Sequence, residues 1–175
     1  MHYINMTSPV GTLLLAATDI GLAGVYFEHH KHFKGSEGWH LNPEHPVLLQ
    51  AKQQLDEYFA GERQVFDIPL DLSAGTAFQQ EVWSALREIP FATTQSYAWL
   101  AQHIQRPHAV RAVGAANGRN PVSVIIPCHR VIASSGALTG YAGGLENKQV
   151  LLELEARASN KQVYGSSQKQ LFSLA

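Results

Sequence analysis

Cys128 is the only cysteine in 175 residues, and it stands in Pro127-Cys128-His129-Arg130-Val131 after the apolar run Val122-Ser123-Val124-Ile125-Ile126. A lone thiol makes no internal disulfide and no cysteine-based zinc site, which leaves inert packing or nucleophilic chemistry. The neighbours favour chemistry, because His129 is a base, Arg130 adds positive charge, and both favour a thiolate. Pro127 lacks an amide hydrogen and fixes φ. The sequence therefore predicts a thiol on a turn at the end of a strand-like run, where reactive groups are commonly presented.

The flanking segments must position that thiol. Residues 134–144 are Gly/Ser-rich, carry Tyr141 as their one large group, and are long enough to fold over a pocket. A helix follows over residues 146–158, with an exposed Glu153/Arg157 pair, while Glu155 shares a face with Leu151 and Leu152. An acid on an apolar stripe needs a partner. Upstream, Thr76 or Gly75 opens a helix with Phe78, Val82, Ala85, Leu86 and Ile89 on one face, and Pro90 closes it. Ser96 caps a short helix over residues 97–104, and Arg106-Pro107 opens another that ends at Asn117-Gly118. Two short helices with a tight turn make a helix-turn-helix candidate. In the second, Ala109, Ala112 and Ala116 form a smooth face flanked by Arg111, suited to close approach to a groove or to tight packing on the core.

The front of the chain reads as scaffold. Residues 11–18 and 21–27 form a hairpin joined by Asp19-Ile20, and residues 46–60 form an amphipathic helix ended by Gly61. Between them, residues 28–45 hold His29, His30, His32, His40 and His45 without cysteines or regular spacing, which predicts a solvated loop and no metal. A proline-containing stretch at residues 67–75 marks a boundary. The expected organisation is an α/β scaffold domain at 1–72, a mostly helical domain at 73–158, and a polar tail at 159–175.

The net charge of -1 conceals a sharp division. Residues 1–88 carry eleven acids against five Lys/Arg, and residues 89–175 carry three acids against eight. Residues 89–145 contain no Asp or Glu yet keep Arg106, Arg111, Arg119 and Arg130, so that segment can approach phosphates without repulsion. No run of eighteen apolar residues occurs, and the first residues lack a signal-peptide pattern. With one cysteine, this points to a reducing, cytoplasmic setting without a membrane.

The stretches at residues 111–121, 125–132 and 139–144 strongly resemble the O6-alkylguanine-DNA alkyltransferases of the bacterial single-chain type. The likeness covers residues 73–157 well, and Ser8-Pro9-Val10-Gly11 fits the family's front domain. The resemblance implies an α/β (α+β) fold, with a small ribonuclease-H-like sheet-and-helix domain followed by a winged-helix-like DNA-binding domain carrying the helix-turn-helix. It implies irreversible, stoichiometric transfer of the alkyl group of O6-alkylguanine, and of O4-alkylthymine, from duplex DNA to Cys128. Glu155 then orients His129, which draws the thiol proton through a water, and Asn120 stabilises the cysteine turn. The damaged nucleotide is flipped out, at a cost of about a few kcal/mol. Arg111 fills the stack, Tyr97 crowds the 3′ phosphate, Tyr141 donates as guanine leaves, the Val131 carbonyl reads the base, and Arg130 and Ala142 border the base site.

The expected partner is alkylated double-stranded DNA, bound by a monomer with no cofactor, and cooperative assembly on DNA is left open. The family's cysteine-based zinc has no ligands here, and Ala142, where some relatives have a hydroxyl residue, leaves room for larger alkyl groups. The competing readings are a recognition-only relative, an ordinary helix-turn-helix regulator, and a Cys-His hydrolase with turnover. Cys128 argues against the first, the alanine face against the second, and the acid-free, arginine-bearing segment against the third.

Overall fold

Alternating apolar residues in the first 27 positions build a hairpin-based sheet. The computed structural model describes the backbone of residues 1–173 and the side chains of residues 1–160. Strands β1 (His2–Ser8), β2 (Gly11–Ala17) and β3 (Leu22–Phe27) pair antiparallel, and the two-residue β4 (His40–Leu41) adds parallel to β1, giving the order β3-β2-β1-β4. The β1–β2 turn is held by Ser8, whose hydroxyl donates to the Gly11 carbonyl at 2.6 Å and accepts from the Val10 amide at 3.2 Å. Gly11 adopts φ +88, which glycine tolerates without a Cβ penalty.

Helix α1 (Pro46–Phe59) covers one face of the sheet, presenting Leu48, Ala51, Leu55 and Tyr58 at helical spacing. The expected linker at residues 67–75 does not hang free. Leu22 donates its amide to the Pro69 carbonyl and accepts from Asp71, so Leu70 bridges the start of β3. Further along the same strand, Val25 bridges Val122, with Val25 N–H donating to Pro121 at 2.9 Å and Ser123 N–H donating to Val25 at 3.3 Å. The exposed edge of β3 is thereby satisfied by backbone from both halves of the chain.

The rear half is helical: α2 (Ala77–Leu86), α3 (Tyr97–His103), α4 (Val110–Gly118) and α5 (Leu145–Ser173), with a two-stranded parallel pair β5 (Gln95–Ser96) and β6 (Val131–Ile132). Thr76 and Gln79 form a reciprocal capping box on α2, and Ser96 caps α3 by accepting from Trp99 N–H at 3.0 Å. Trp83 of α2 ties to α4 by donating to the Ala116 carbonyl at 2.8 Å. A continuous cluster joins Leu15, Val25 and Leu55 of the front half to Val82, Ile126 and Leu151 of the rear.

Three expectations change here. Helix α4 begins at Val110, not at Pro107, because residues 106–109 close a turn in which Ala109 N–H donates to Arg106; Pro107 serves the second position of that turn. The run 122–126 is not a strand. Only Val122 pairs, after which Ile125 N–H bonds Ser123 and Ile126 N–H bonds Val122, folding the chain under itself with Val124 at φ +70. A β-branched residue in that region costs roughly 1–3 kcal/mol, held here by complete burial. The helix expected over 146–158 also runs further, as α5 to Ser173, so the backbone of the expected tail at 159–175 is helical to that point, while its side chains from residue 161 onward lie outside those described.

Gly21 tests the shared edge. A Cβ there would sit 2.6 Å from the Pro69 carbonyl oxygen and 2.9 Å from the Leu70 carbonyl carbon, both backbone atoms. Gly21→Ala is expected to lower stability by about 1–3 kcal/mol in chemical denaturation; an unchanged midpoint would mean that the 69–71 segment is not held against β3.

Candidate active site

The turn at 122–127 delivers Cys128 to the first position of a single 3-10 turn, Cys128–Arg130. The thiol is 3% exposed. Asn120 binds three segments at once: its Nδ2 donates to the Ile126 carbonyl at 2.8 Å and to Cys128 Sγ at 3.1 Å, and its Oδ1 accepts from Val122 N–H at 3.0 Å. Burial pushes the thiol pKa up to about 11, against the opposing effects of the Asn120 contact and the charge of Lys148. The resting thiol is therefore protonated at neutral pH and needs a base.

His129 follows directly and is fully buried. Its Nε2 lies 2.6 Å from Glu155 Oε2, and its Nδ1 is buried without a protein partner. Glu155, reached from α5, is the hub of the interior. Its Oε1 accepts from Arg130 Nε at 2.8 Å and Ala92 N–H at 3.1 Å, and its Oε2 also accepts from the Tyr58 hydroxyl at 2.6 Å and Arg130 Nη2 at 3.2 Å. Burial alone would raise the Glu155 pKa, but His129 and Arg130 outweigh it and hold the carboxyl well below its usual range. An ionised carboxylate only accepts, so His129 carries its proton on Nε2 and offers the lone pair of Nδ1. Burial, opposed by Glu155 and reinforced by Arg130 and Lys148, lowers the His129 pKa, so the ring is neutral at pH 7.

Arg130, expected at the DNA or base site, lies inside the protein. It is 6% exposed, paired with Glu155, and donates through Nη1 to the Ile89 carbonyl at 2.8 Å. The exposed arginines of the acid-free segment are Arg111, Arg119 and Arg106, the last paired with Glu81 at 3.2 Å. The smooth face expected on α4 is also redistributed, because Ala116 packs inward while Arg111, Ala112 and Ala115 face solvent.

Tyr97, Gly114, Ala115, Gly140, Tyr141 and Ala142 line a cavity of about 620 Å³ between α4 and the 134–144 loop. Tyr97 lies over Gly114, where a Cβ would come within 3.7 Å of its ring, and its hydroxyl donates to the Thr139 carbonyl at 3.3 Å. Tyr141 packs edge-on against Phe27 of β3, at 5.6 Å between centroids, with its hydroxyl buried. Burial first, then the neighbouring Cys128, raises the Tyr141 pKa well above its usual value, so it remains a donor.

Three groups were not foreseen in the sequence. Lys148 is completely buried and donates to the Val131 carbonyl at 2.7 Å and the Thr139 carbonyl at 2.9 Å, so one lone pair of the carbonyl expected to read the base is already engaged. Its signal was the spacing 148, 151, 155, which places a second charge on the buried stripe of α5. Tyr58 carried no chemical signal, since its spacing in α1 marks only core. Asn117, 3% exposed, lines the cavity with an unpartnered Oδ1.

Comparison with known proteins matches residues 1–72 to the 6-O-methylguanine DNA methyltransferase, ribonuclease-like domain, and residues 77–157 to the DNA binding domain of the same proteins. The chain is 47% identical over 159 residues to a methylated-DNA–protein-cysteine methyltransferase of Mycolicibacterium paratuberculosis, covering 91% of this chain and 94% of that one. A Haemophilus influenzae protein of the same name is 44% identical, covering 89% and 86%. The crystal structure of Mycobacterium tuberculosis OGT in complex with DNA superposes with a TM-score of 0.83 at 46% identity, covering 90% of this chain and 94% of that one.

The hub has a measurable cost of removal. Glu155→Gln strands the buried Arg130 charge and is expected to lose roughly 3–5 kcal/mol in denaturant titration. Because Glu155 is held below the ordinary 4.5 of a glutamate and His129 below the ordinary 6.5 of a histidine, both hold fewer protons folded than unfolded. Wild-type stability should therefore fall with falling pH, from about 6.5 through the His129 window and from about 4.5 through that of Glu155. In Glu155→Gln the lower window should shrink to what Glu57 and Asp71, also held below their ordinary range by hydrogen bonds, contribute, and a wild-type-like acid limb would refute the assignment.

Proposed function

The chain belongs to the 6-O-methylguanine DNA methyltransferases, the methylated-DNA–protein-cysteine methyltransferases, and on that premise we propose that Cys128 is its acceptor thiol. The protein binds DNA and repairs O6-methylguanine in it. The observation that carries the assignment is the buried contact from Asn120 to Cys128 beside the Glu155-anchored His129.

The reaction divides among the residues as follows. Neutral His129 takes the thiol proton at Nδ1 through an intervening water, and Glu155 stabilises the resulting imidazolium. The sulfur lone pair attacks the alkyl carbon, the carbon–oxygen bond breaks, and its electron pair goes to guanine O6, where the Tyr141 hydroxyl donates. The product thioether is stable, so each molecule reacts once. Asn120 and Lys148 favour the thiolate at the moment it forms, since both lower the Cys128 pKa against burial. Arg130 acts through Glu155, as a positioning residue rather than a DNA contact.

The nucleotide enters the cavity flipped from the stack. Arg111, exposed on α4, can replace it, because a guanidinium plane both stacks and hydrogen-bonds the orphaned base. Tyr97 and the Val131 carbonyl border the base, and Ala142 widens the site for larger alkyl groups; O4-alkylthymine is included in this range. We read the chain as a scaffold unit over 1–72 and a transfer unit over 73–158, acting as a monomer in a reducing cytoplasm. Among the described residues no helix is long and apolar enough to cross a membrane.

Intact mass spectrometry with duplex DNA containing O6-methylguanine should show one added methyl, about 14 Da, on Cys128. Cys128→Ala should abolish transfer and keep binding; retained lesion binding without mass gain in the wild type would favour recognition alone. Arg111→Ala and Tyr97→Ala should slow transfer from duplex far more than from free base, and equal loss would remove their flipping roles. The rate should hold above pH 7 and fall in acid, as His129 Nδ1 takes a proton below the ordinary 6.5; a rate that first rises only near the thiol pKa would exclude His129 as base.

A further inference from the structure

The His-rich segment after β3 is more ordered than a solvated loop requires. His30 accepts the Phe27 amide at Nδ1 (3.3 Å) and meets Tyr26 edge-on at 5.2 Å, while Phe33 stacks on Tyr26 at 4.1 Å. Burial, then the neighbouring His32, lowers the His30 pKa to about 4, so His30 is neutral and serves as an anchor. Between these anchors Lys31 N–H donates to the Ala142 carbonyl at 2.8 Å, and His32 is held at φ +70, a strained conformation that the two flanking contacts impose.

This clamp points Lys31 and His32 at the rear half. Both are exposed, and both line the same cavity as Tyr97, Tyr141 and Arg119. Among the described residues no Asp or Glu lines it. Asp71, in the adjoining cavity on the other side of the two residues, is engaged by Thr18 and Ser73. Among the described residues neither Lys31 nor Arg119 has an ion-pair partner, and loss of hydration, then the charges of Arg119 and Lys31, disfavour a proton on His32. Lys31, His32 and Arg119 border both cavities, and the one acid they share, Asp71, is already engaged by hydroxyls, so these cationic or cationisable groups form a cradle for an anion.

We propose that Lys31, His32 and Arg119 form a backbone-phosphate site, built across the two halves of the chain, that grips duplex DNA at the lip of the cavity. The site rests on the DNA-repair reading above and adds to it a DNA contact from the front half. A phosphate there offsets the charges of Lys31 and Arg119, favours a proton on His32, and tethers the strand whose nucleotide enters the cavity.

Binding of Lys31→Ala/His32→Ala to undamaged duplex across a salt series tests the site. Each lost phosphate contact removes about 0.9 from the slope of log K against log salt, so the variant's slope should be shallower by about 1. Lys34→Ala, which removes a charge from the same segment outside the cavity, should keep the wild-type slope. An unchanged slope in the double variant, or an equal loss in Lys34→Ala, would overturn the site. Transfer from duplex should also fall more than transfer from free O6-methylguanine; equal loss on both would mean a damaged pocket, not a lost phosphate contact. Wild-type protein that gains no methyl would instead count against the underlying repair reading, independently of these slopes.

Discussion

A carboxylate without water must find its compensation in the protein, and Glu155 draws it from three separate segments. Tyr58 comes from the first long helix, the Ala92 amide from the turn after Pro90, and His129 and Arg130 from the 3-10 turn; α5 supplies the acid itself. Removing a charge of this kind from water costs several kcal/mol, recovered only when its lone pairs are filled with good geometry. Five donors within hydrogen-bond distance meet that condition. The fold can bury the acid only when both halves are assembled, so formation of the reactive turn is coupled to the packing of the whole chain.

The charges around Glu155 are divided so that His129 can be held by a carboxylate without itself becoming a cation. Arg130 neutralises Glu155 permanently, which leaves His129 free to be uncharged while still oriented by the same carboxylate. Lys148 donates to the carbonyls at Val131 and Thr139 and so fixes the turn and the loop to α5. The thiol is then kept protonated by burial and is activated only when the reaction draws its proton away. A buried, neutral thiol is also protected from adventitious oxidation, since reactivity follows thiolate content and exposure.

Local signals were read well from the sequence, and long-range ones poorly. The Ser96 cap, the Thr76 helix start, the α1 stripe and the need for a partner at Glu155 all depend on neighbours within a few residues. The Tyr58–Glu155 contact spans 97 positions, and nothing near Tyr58 distinguishes it from an ordinary core aromatic. Arg130 was assigned to the surface because adjacent charge and an acid-free segment look alike whether they face water or Glu155. Val122 to Ile126 looked like a strand because an apolar β-branched run has that propensity, yet tertiary constraint forces Val124 into a left-handed conformation. The histidines of 28–34 lacked metal spacing, and their aromatic anchoring emerges only when Tyr26 and Phe33 are seen to stack.

The seam between the halves has a consequence for descent. The β3 contacts to Pro121, Ser123 and Pro69 are made by backbone, so side chains there can drift while the ladder survives. Two side-chain couplings lack that freedom: Tyr58 with Glu155, and Phe27 with Gly143, where a Cβ would fall 2.3 Å from the ring. A hybrid that joins the front of one relative to the rear of another would keep the ladder automatically, but would inherit a working interior only if both pairs travelled together. The unit of inheritance therefore includes these two pairs, and the apparent domain boundary passes between the members of each.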